Sequence, residues 1–291
     1  MEIKSLANVD FDLIYKAFNL AFADYEVKLD KKQLLKMLRR RGFDPDLSFA
    51  AFDNNRIIAF TLNGTGKYNG IQTAYDTGTG TLKDYRGQGL ASKVFEYSIP
   101  YLKKMDIEQY LLEVLQHNTK AISVYKNLGF KVTREFNYFV QKEEEISIIK
   151  EKGDPVFKEK RDPGYLIRQI DIEKVESAFD YWDFFPSWQN SFESIKRAYG
   201  DFIVLGAFYG SILAGYCVFE PESGDLTQIA VGPEYRRQGI ASHLLNEAAK
   251  TNRSDVIKII NTEVTCISVN AFIKSSGFEL KGKQYEMLKK L

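Results

Sequence analysis

The sequence predicts an α/β protein of two tandem domains, each with a central, mostly antiparallel (mixed) sheet flanked by helices. The octapeptide YRGQGLAS at 85–92 returns as YRRQGIAS at 235–242, identical at six of eight positions, and Leu-Gly-Phe at 128–130 returns as Ser-Gly-Phe at 276–278. Each octapeptide follows a strand-like run and precedes an amphipathic helix. The octapeptide offset, 235 minus 85, is 150 residues. This exceeds a solenoid period of about 20–50 residues and indicates two copies of one domain.

Composition excludes several classes of function. The 40 Lys and Arg nearly balance the 39 Asp and Glu, which argues against nucleic acid as the main partner. No run of about 18 apolar residues could span a membrane, and the N-terminus has no apolar core of a signal peptide. The two cysteines, Cys217 and Cys266, make no disulfide framework, and no Cys/His cluster has metal-ligand spacing. We therefore expect a cytoplasmic protein without a metal or a membrane partner.

The first domain is predicted over 1–141. Apolar residues at helical spacing predict a helix over 11–22, and a second helix ends near Gly42. A hairpin follows with its turn at 53–55, and a strand rich in Thr and Gly leads into the octapeptide. The predicted elements are helices over 11–22 and 31–40, from the octapeptide to about 104, and over 118–127, and strands over 47–52, 56–62, 73–82, 109–114 and 131–141.

A charged stretch over 142–163, with two Asp-Pro steps, is predicted to link the domains. The second domain, 164–291, repeats the order of the first. Its predicted helices are 172–179, 191–198, 239–251 and 269–275, and its predicted strands are 165–169, 202–209, 212–219, 226–231, 256–263 and 279–288.

The octapeptide has the chemistry of a phosphate-binding turn. A glycine three residues after the arginine lets the backbone approach a ligand closely, and the free N–H groups at the following helix N-terminus attract an anion. Arg236 or Arg237 can add a charge-assisted contact. The first copy supplies Arg86, Gly89 and Ala91 at the same places. Since neither a Gly-Lys-Ser/Thr loop nor a GxGxxG fingerprint is present, the turn indicates a pyrophosphate site of another type.

Both halves resemble GNAT-superfamily N-acetyltransferases, and the whole chain resembles a tandem member. The resemblance implies that the turn binds the pyrophosphate of acetyl-CoA, the co-substrate, and that two neighbouring strands splay to expose an edge to its pantetheine. The implied cofactor-binding residues are Thr79, Gly80, Thr81, Leu82, Arg86, Gly87, Gln88, Gly89, Leu90, Ala91, Ser92 and Asn118 in the first half, and Ile229, Ala230, Val231, Arg236, Arg237, Gln238, Gly239, Ile240, Ala241 and Ser242 in the second.

The family also carries an Asn-x-x-Ala-x-x-x-Tyr-x-x-x-Gly-Phe segment, present here from Asn118 to Phe130. The resemblance makes Tyr125 the general acid to the departing thiolate, although an aromatic on a short helix also packs in cores. Asn118 is equally compatible with a helix N-cap. The second half has Cys266 and Ile273 at these positions, and isoleucine cannot donate a proton. We therefore expect chemistry in the first half and cofactor binding without that chemistry in the second.

The general base is left open among several residues. Asp76 and Asp225 precede the two turns, and Glu113 and Glu263 lie on the next predicted strands. Each of these carboxylates is equally compatible with a solvated or paired surface group. A lone histidine is more often structural, which applies to His117 and His243. We take Tyr125, Asp76 and Glu113 as the candidate catalytic residues.

An aromatic patch over 181–188 lies where the family places its acceptor-side helices. Core packing explains it best, and an apolar or cationic acceptor pocket is the alternative. The predicted function is transfer of an acetyl group from acetyl-CoA to a primary amine of a small molecule or peptide by direct attack. The rival prediction is a non-catalytic acyl-CoA-binding or regulatory protein.

Overall fold

A computed structural model describes residues 1–24, 28–142 and 164–291. The chain divides into two compact units: unit 1 contains 1–133 and 285–291, and unit 2 contains 134–284. The predicted linker, 142–163, lies outside the described residues except for Lys142. The units do not coincide with the predicted segments 1–141 and 164–291, because each unit takes one strand from the other half of the sequence.

Unit 1 is a sheet with helices packed against it. Its strand order is β1-β2-β3-β4-β5, followed by the end of β12; β1/β2, β2/β3 and β3/β4 are antiparallel pairs, and β4/β5 is a parallel pair. The elements are β1 (Glu2–Ser5), α1 (Phe11–Ala21), α2 (Lys31–Arg41), β2 (Phe49–Asp53), β3 (Arg56–Tyr68), β4 (Ile71–Thr81), α3 (Leu90–Lys104), β5 (Gln109–Leu115) and α4 (Thr119–Asn127). This confirms the predicted α/β class and mixed sheet.

Unit 2 repeats the architecture. Its strand order is β6-β11-β10-β9-β8-β7, with β10/β11 as its parallel pair. The elements are β6 (Lys131–Lys142), β7 (Leu166–Gln169), α5 (Phe192–Arg197), β8 (Ile203–Tyr209), β9 (Ile212–Glu220), β10 (Asp225–Val231), α6 (Ile240–Lys250), β11 (Val256–Glu263) and α7 (Ile267–Ser275). β12 (Glu279–Lys290) begins in unit 2, and its end belongs to unit 1.

Burial of apolar side chains explains the exchanged strands. Phe139 on β6 is fully buried in the core of unit 2, where it packs in one cluster with Ile257 and Ile259 of β11. Met287 on β12 is equally buried in the core of unit 1, in one cluster with Tyr110 of β5. Each such side chain contributes about 1.5–3 kcal/mol when it is fully buried. The burial of Phe139 therefore stabilises β6 in unit 2, and the burial of Met287 stabilises the end of β12 in unit 1.

Two local predictions differ from the structure. The predicted helix over 172–179 is wrong, since the segment forms two short 3₁₀ turns, Ile172–Lys174 and Phe179–Tyr181. Its buried residues, Ile172, Val175 and Ala178, recur every three positions, which fits three residues per turn better than 3.6. The four-residue strand β1 was not predicted, because one short alternation carries too little pattern.

In the described segments, no helix is long and apolar enough to cross a membrane.

Candidate active site and cofactor cleft

The parallel strands at the centre of each unit separate after a short paired stretch. In unit 1 the β4/β5 pairing ends at Tyr75 and Leu111, although β4 continues to Thr81 and β5 to Leu115. In unit 2 the β10/β11 register contains a single pair, Asp225 with Lys258. The far ends of β4 and β10 therefore present a strand edge to a cleft, the arrangement that a pantetheine chain requires.

A bulge lies at the same place in both units. The β3/β4 register shifts between Gly78 and Asp76, which leaves Thr77 out of the ladder. The β9/β10 register shifts between Leu226 and Gln228, which leaves Thr227 out. Bulges re-aim neighbouring side chains and are frequent beside active sites. Counted back from its own turn, Leu226 of unit 2 therefore stands at the position of Asp76 in unit 1.

The turn of unit 1 has the backbone geometry of an anion cradle. Gly87 and Gly89 adopt left-handed φ values of 78° and 72°. A Cβ at either position would meet no heavy atom within 4 Å, so the space in front of the backbone is open. No side chain of the described chain caps the N-terminus of α3, and the first N–H groups of a helix have no partner within that helix. This arrangement fits the pyrophosphate of a CoA thioester.

The turn of unit 2 keeps the same conformation with different residues. Gly239 has a φ of 84°, and Arg237, which replaces Gly87, has a φ of 61°. Within the described residues, α6 also begins without a side-chain cap. Left-handed backbone is uncommon for arginine, so the turn is maintained here even where glycine is absent.

The arginine of each octapeptide, Arg86 or Arg236, forms hydrogen bonds that connect the turn to a neighbouring segment of the same unit. In unit 1 the Arg86 guanidinium donates to Thr81 O at 3.2 Å, to Ala21 O at 2.8 Å and to the Asp24 carboxylate at 2.8 Å. The hydrogen bond from Arg86 lowers the pKa of Asp24. These contacts hold the end of α1 beside the turn.

Arg236 makes the same set of hydrogen bonds in unit 2, and we call this set the arginine clasp. Arg236 donates to Val231 O at 3.1 Å, to Tyr181 O at 3.3 Å and to the Asp183 carboxylate at 3.0 Å. Both guanidinium groups thus hold protein atoms, which leaves the backbone of the turn as the predicted anion site. The contacts of Arg86 and Arg236 with a pyrophosphate stay predictions.

Two of the predicted catalytic residues meet in the cleft of unit 1. The Tyr125 hydroxyl of α4 donates to Asp76 Oδ2 at 2.9 Å. Thr79 Oγ1 donates to the same oxygen at 2.9 Å, and the Gly78 N–H donates to Oδ1 at 2.9 Å. Burial raises the pKa of Asp76, and the hydrogen bonds from Tyr125, Thr79 and Gly78 oppose that rise. A carboxylate of this kind can exchange a proton with the phenol beside it.

Glu113 has a different neighbour. It lies beside Tyr75, whose pKa is raised first by burial and then by the Glu113 charge. Tyr110, on the same strand as Glu113, donates to the Asn63 side-chain oxygen in the core. Neither Asn63 nor Tyr110 was predicted for the site, because an asparagine and a tyrosine inside strand patterns give no signal without the tertiary pairing.

Asn118 acts as the N-cap of α4, where its side chain accepts from the Ala121 N–H at 3.2 Å. His117 is exposed, and His243 lies 3.6 Å from Glu247 on α6. Glu263 lies 3.5 Å from Arg134. The structure therefore gives these residues structural or surface contacts, and a role for Asn118 towards the cofactor stays a prediction.

Unit 2 replaces the polar residues of this cleft with apolar ones. The register and the turn align five positions. Unit 1 carries Asn63, Asp76, Thr79, Tyr110 and Tyr125, whereas unit 2 carries Phe219, Leu226, Ile229, Ile257 and Ile273. All five apolar residues belong to or pack against one core cluster. No proton donor or acceptor remains at these positions.

A buried segment also spans the separated strands of unit 2. The Asn190 side chain donates to Ile260 O of β11 at 2.9 Å, and Gln228 of β10 donates to Asn190 O. Ser187 is likewise buried and accepts from Asn261 of β11 at 2.9 Å. The end of the predicted aromatic patch is thus core packing that closes one side of the cleft.

Comparison with known proteins gives the class of the chain. The model of the acetyltransferase (GNAT) family matches residues 12–130 and 169–278. The chain belongs to this family and carries two copies of its domain, which confirms the predicted tandem organisation. Membership places it among acetyltransferase enzymes.

Particular relatives cover smaller parts of the chain. N-alpha-acetyltransferase 30 of Schizosaccharomyces pombe is 32% identical over 98 residues, 33% of this chain and 65% of the relative. The protein of the same name in Dictyostelium discoideum is 28% identical over 96 residues, 33% of this chain and 52% of the relative. The match thus spans less than two thirds of these relatives.

Solved structures match over the whole length. A tandem GNAT protein from the clavulanic acid biosynthesis pathway has a TM-score of 0.73 at 14% identity and covers 99% of this chain and 98% of that one. A GCN5-related N-acetyltransferase from Sphaerobacter thermophilus has a TM-score of 0.70 at 11% identity, with coverages of 99% and 95%. These likenesses establish the fold.

Proposed function

We propose that unit 1 transfers the acetyl group of acetyl-CoA to a primary amine by direct attack. The observation that carries this proposal is the 2.9 Å hydrogen bond between Tyr125 and Asp76, at the open end of the β4/β5 separation. The turn at 87–92 would hold the pyrophosphate, and the β4 edge at 79–82 would pair with the pantetheine. Acetyl-CoA supplies an acetyl group activated as a thioester.

The proton balance assigns a role to each residue of the pair. Attack forms a C–N bond and breaks a C–S bond, so one proton leaves nitrogen and one reaches sulfur. Asp76 takes the proton from the amine, and burial, which raises the pKa of Asp76, makes it a stronger base than an exposed carboxylate. Tyr125 gives its proton to sulfur. Transfer from Asp76 Oδ2 to Tyr125 Oη across their hydrogen bond restores both groups.

The proposal also concerns the chemical class of the amine acceptor. Two curated relatives are named N-alpha-acetyltransferases, which favours the α-amine of a peptide over a small-molecule amine. The rival function, acyl-CoA binding without chemistry, is supported for unit 2 alone, because Leu226 and Ile273 cannot move a proton.

Calorimetry and acetylation assays on the full chain test the proposal. We expect CoA to bind in the micromolar to millimolar range, and peptides with free α-amines to be acetylated faster than the same peptides with blocked N-termini. An absence of both binding heat and thermal shift at millimolar CoA would refute the cofactor site. Acetylation of small amines but of no peptide would refute only the acceptor class.

A further inference from the structure

The cleft of unit 2 has an apolar end. Its lining includes Leu226, Ile229, Ile259, Val269, Ile273 and the aromatic residues Trp182 and Phe184. It encloses about 50 Å³, several times the roughly 10–15 Å³ that one water molecule needs, which leaves room for the first carbons of an aliphatic chain. Leu226 and Ile273 stand where unit 1 has its proton-transfer pair, so the change falls at the reacting end of the cleft.

The other end of the same cleft leads to the anion-binding turn. The β10 edge from Ile229 to Val231 runs directly into the turn that contains Gly239. A ligand that satisfies both ends has an anionic head, an extended linker that pairs with a strand edge, and an apolar tail. A CoA thioester with an aliphatic acyl chain has this construction, whereas acetyl-CoA ends in a single methyl group.

The surroundings favour retention of such a ligand over its conversion. The buried segment that contains Ser187 and Asn190 is hydrogen bonded to both separated strands. It thereby closes one side of the cleft. The five apolar replacements remove the carboxylate and the phenol that unit 1 holds at the aligned positions. The carboxylate that the lining retains, Asp183, accepts from Arg236 and Ser268.

We propose that unit 2 binds an acyl-CoA whose chain is longer than acetyl and holds it unreacted. The inference rests on the proposed CoA site of unit 2, and it adds the chemical class of the acyl group. Each methylene that enters the cleft should tighten binding by about fourfold, the equivalent of about 0.8 kcal/mol.

Calorimetry tests this with CoA, acetyl-CoA, butyryl-CoA and hexanoyl-CoA on the full chain. The substitution Gly89→Glu blocks the turn of unit 1, so that the titration reports unit 2. We expect affinity to rise along the series, with hexanoyl-CoA on the order of tenfold or more tighter than acetyl-CoA. Equal affinities for all four would overturn the acyl pocket and leave the CoA site intact, whereas no binding of any would overturn the CoA site itself.

A matched pair of variants locates the chain in the cleft. Val269→Asp puts a charge into the lining, whereas Ile267→Asp changes the first residue of the same helix, which is 80% exposed and outside the cleft. We expect Val269→Asp to remove the gain of hexanoyl-CoA over CoA and Ile267→Asp to keep it. If both variants keep it, the acyl chain lies elsewhere and the proposal fails. Phe184→Ala, with Phe185→Ala as its control, repeats the test with no added charge if Val269→Asp does not fold.

Discussion

Units 1 and 2 share the backbone features of the cleft and differ in the side chains around it. Both have the left-handed glycine at the end of the turn, the arginine clasp, the bulge and the separated parallel strands. At the aligned positions unit 1 has a carboxylate and a phenol in contact, Asp76 and Tyr125, whereas unit 2 has Leu226 and Ile273. Under the proposed function, cofactor binding through backbone atoms tolerates this sequence change, whereas proton transfer depends on two particular side chains.

The largest expected difference between the units concerns the turns. Gly89→Glu and Gly239→Glu each put bulk and negative charge where a pyrophosphate would sit. We expect Gly89→Glu to abolish acetylation, and Gly239→Glu to remove one CoA site by calorimetry while most of the acetylation rate remains. Rate assays and titrations on the same preparations measure both effects.

The controls for the turns are Gly89→Ala and Gly239→Ala. Alanine and glutamate are destabilised alike by the positive φ at these positions, but alanine adds no charge. We expect the alanine variants to lose less affinity than the glutamate variants. Loss of all acetylation in Gly239→Glu, with an unchanged circular dichroism spectrum, would mean that unit 2 is catalytic and that the assignment of the two units is reversed.

The second prediction concerns the hydroxyl that unit 2 lacks. Tyr125→Phe removes the proton donor and keeps the ring, which packs against Phe130. General acid catalysis contributes about 10²–10⁴-fold, so we expect kcat to fall by that order with little change in CoA affinity. Asp76→Asn should lower kcat as well, and the double variant should lose little more than the worse single one, since the two groups form one unit.

An unchanged kcat in Tyr125→Phe would remove the phenol from the mechanism. Fully additive losses in the double variant would instead separate the two residues and refute their shared proton path. Thr79→Val is a useful companion, because it removes the other hydroxyl that donates to Asp76 Oδ2 without touching the phenol.

The sequence predicted the turns, and the reason is that their conformation depends on a few local residues. Glycines at positive φ and an uncapped helix start can be recognised within eight positions. Tyr125 and Asp76 were each predicted from the type and place of the residue, but they are 49 positions apart. Their hydrogen bond follows from the tertiary approach of α4 to β4, which no local pattern describes.

The exchanged strands show a second limit of prediction. β6 and β12 both alternate apolar and polar residues, so either could complete either sheet by pattern alone. The choice depends on which core buries Phe139 and which buries Met287. Asp225, by contrast, is not the equivalent of Asp76, because the constant offset of 150 residues between the turns places Leu226 there and Asp225 opposite Tyr75.

The smallest expected difference concerns the starts of the helices that carry the second family segment. Asn118 caps α4 through its side chain, whereas Cys266 at the start of α7 makes no side-chain cap to its helix. Replacing an N-cap asparagine by alanine costs about 0.5–2 kcal/mol. We expect Asn118→Ala to lower the free energy of unfolding by about 1 kcal/mol, and Cys266→Asn to raise it by a similar or smaller amount, in urea titrations followed by circular dichroism. If Asn118→Ala leaves stability unchanged but weakens CoA binding several-fold, then Asn118 serves the cofactor rather than the helix, and the contact with Ala121 is secondary.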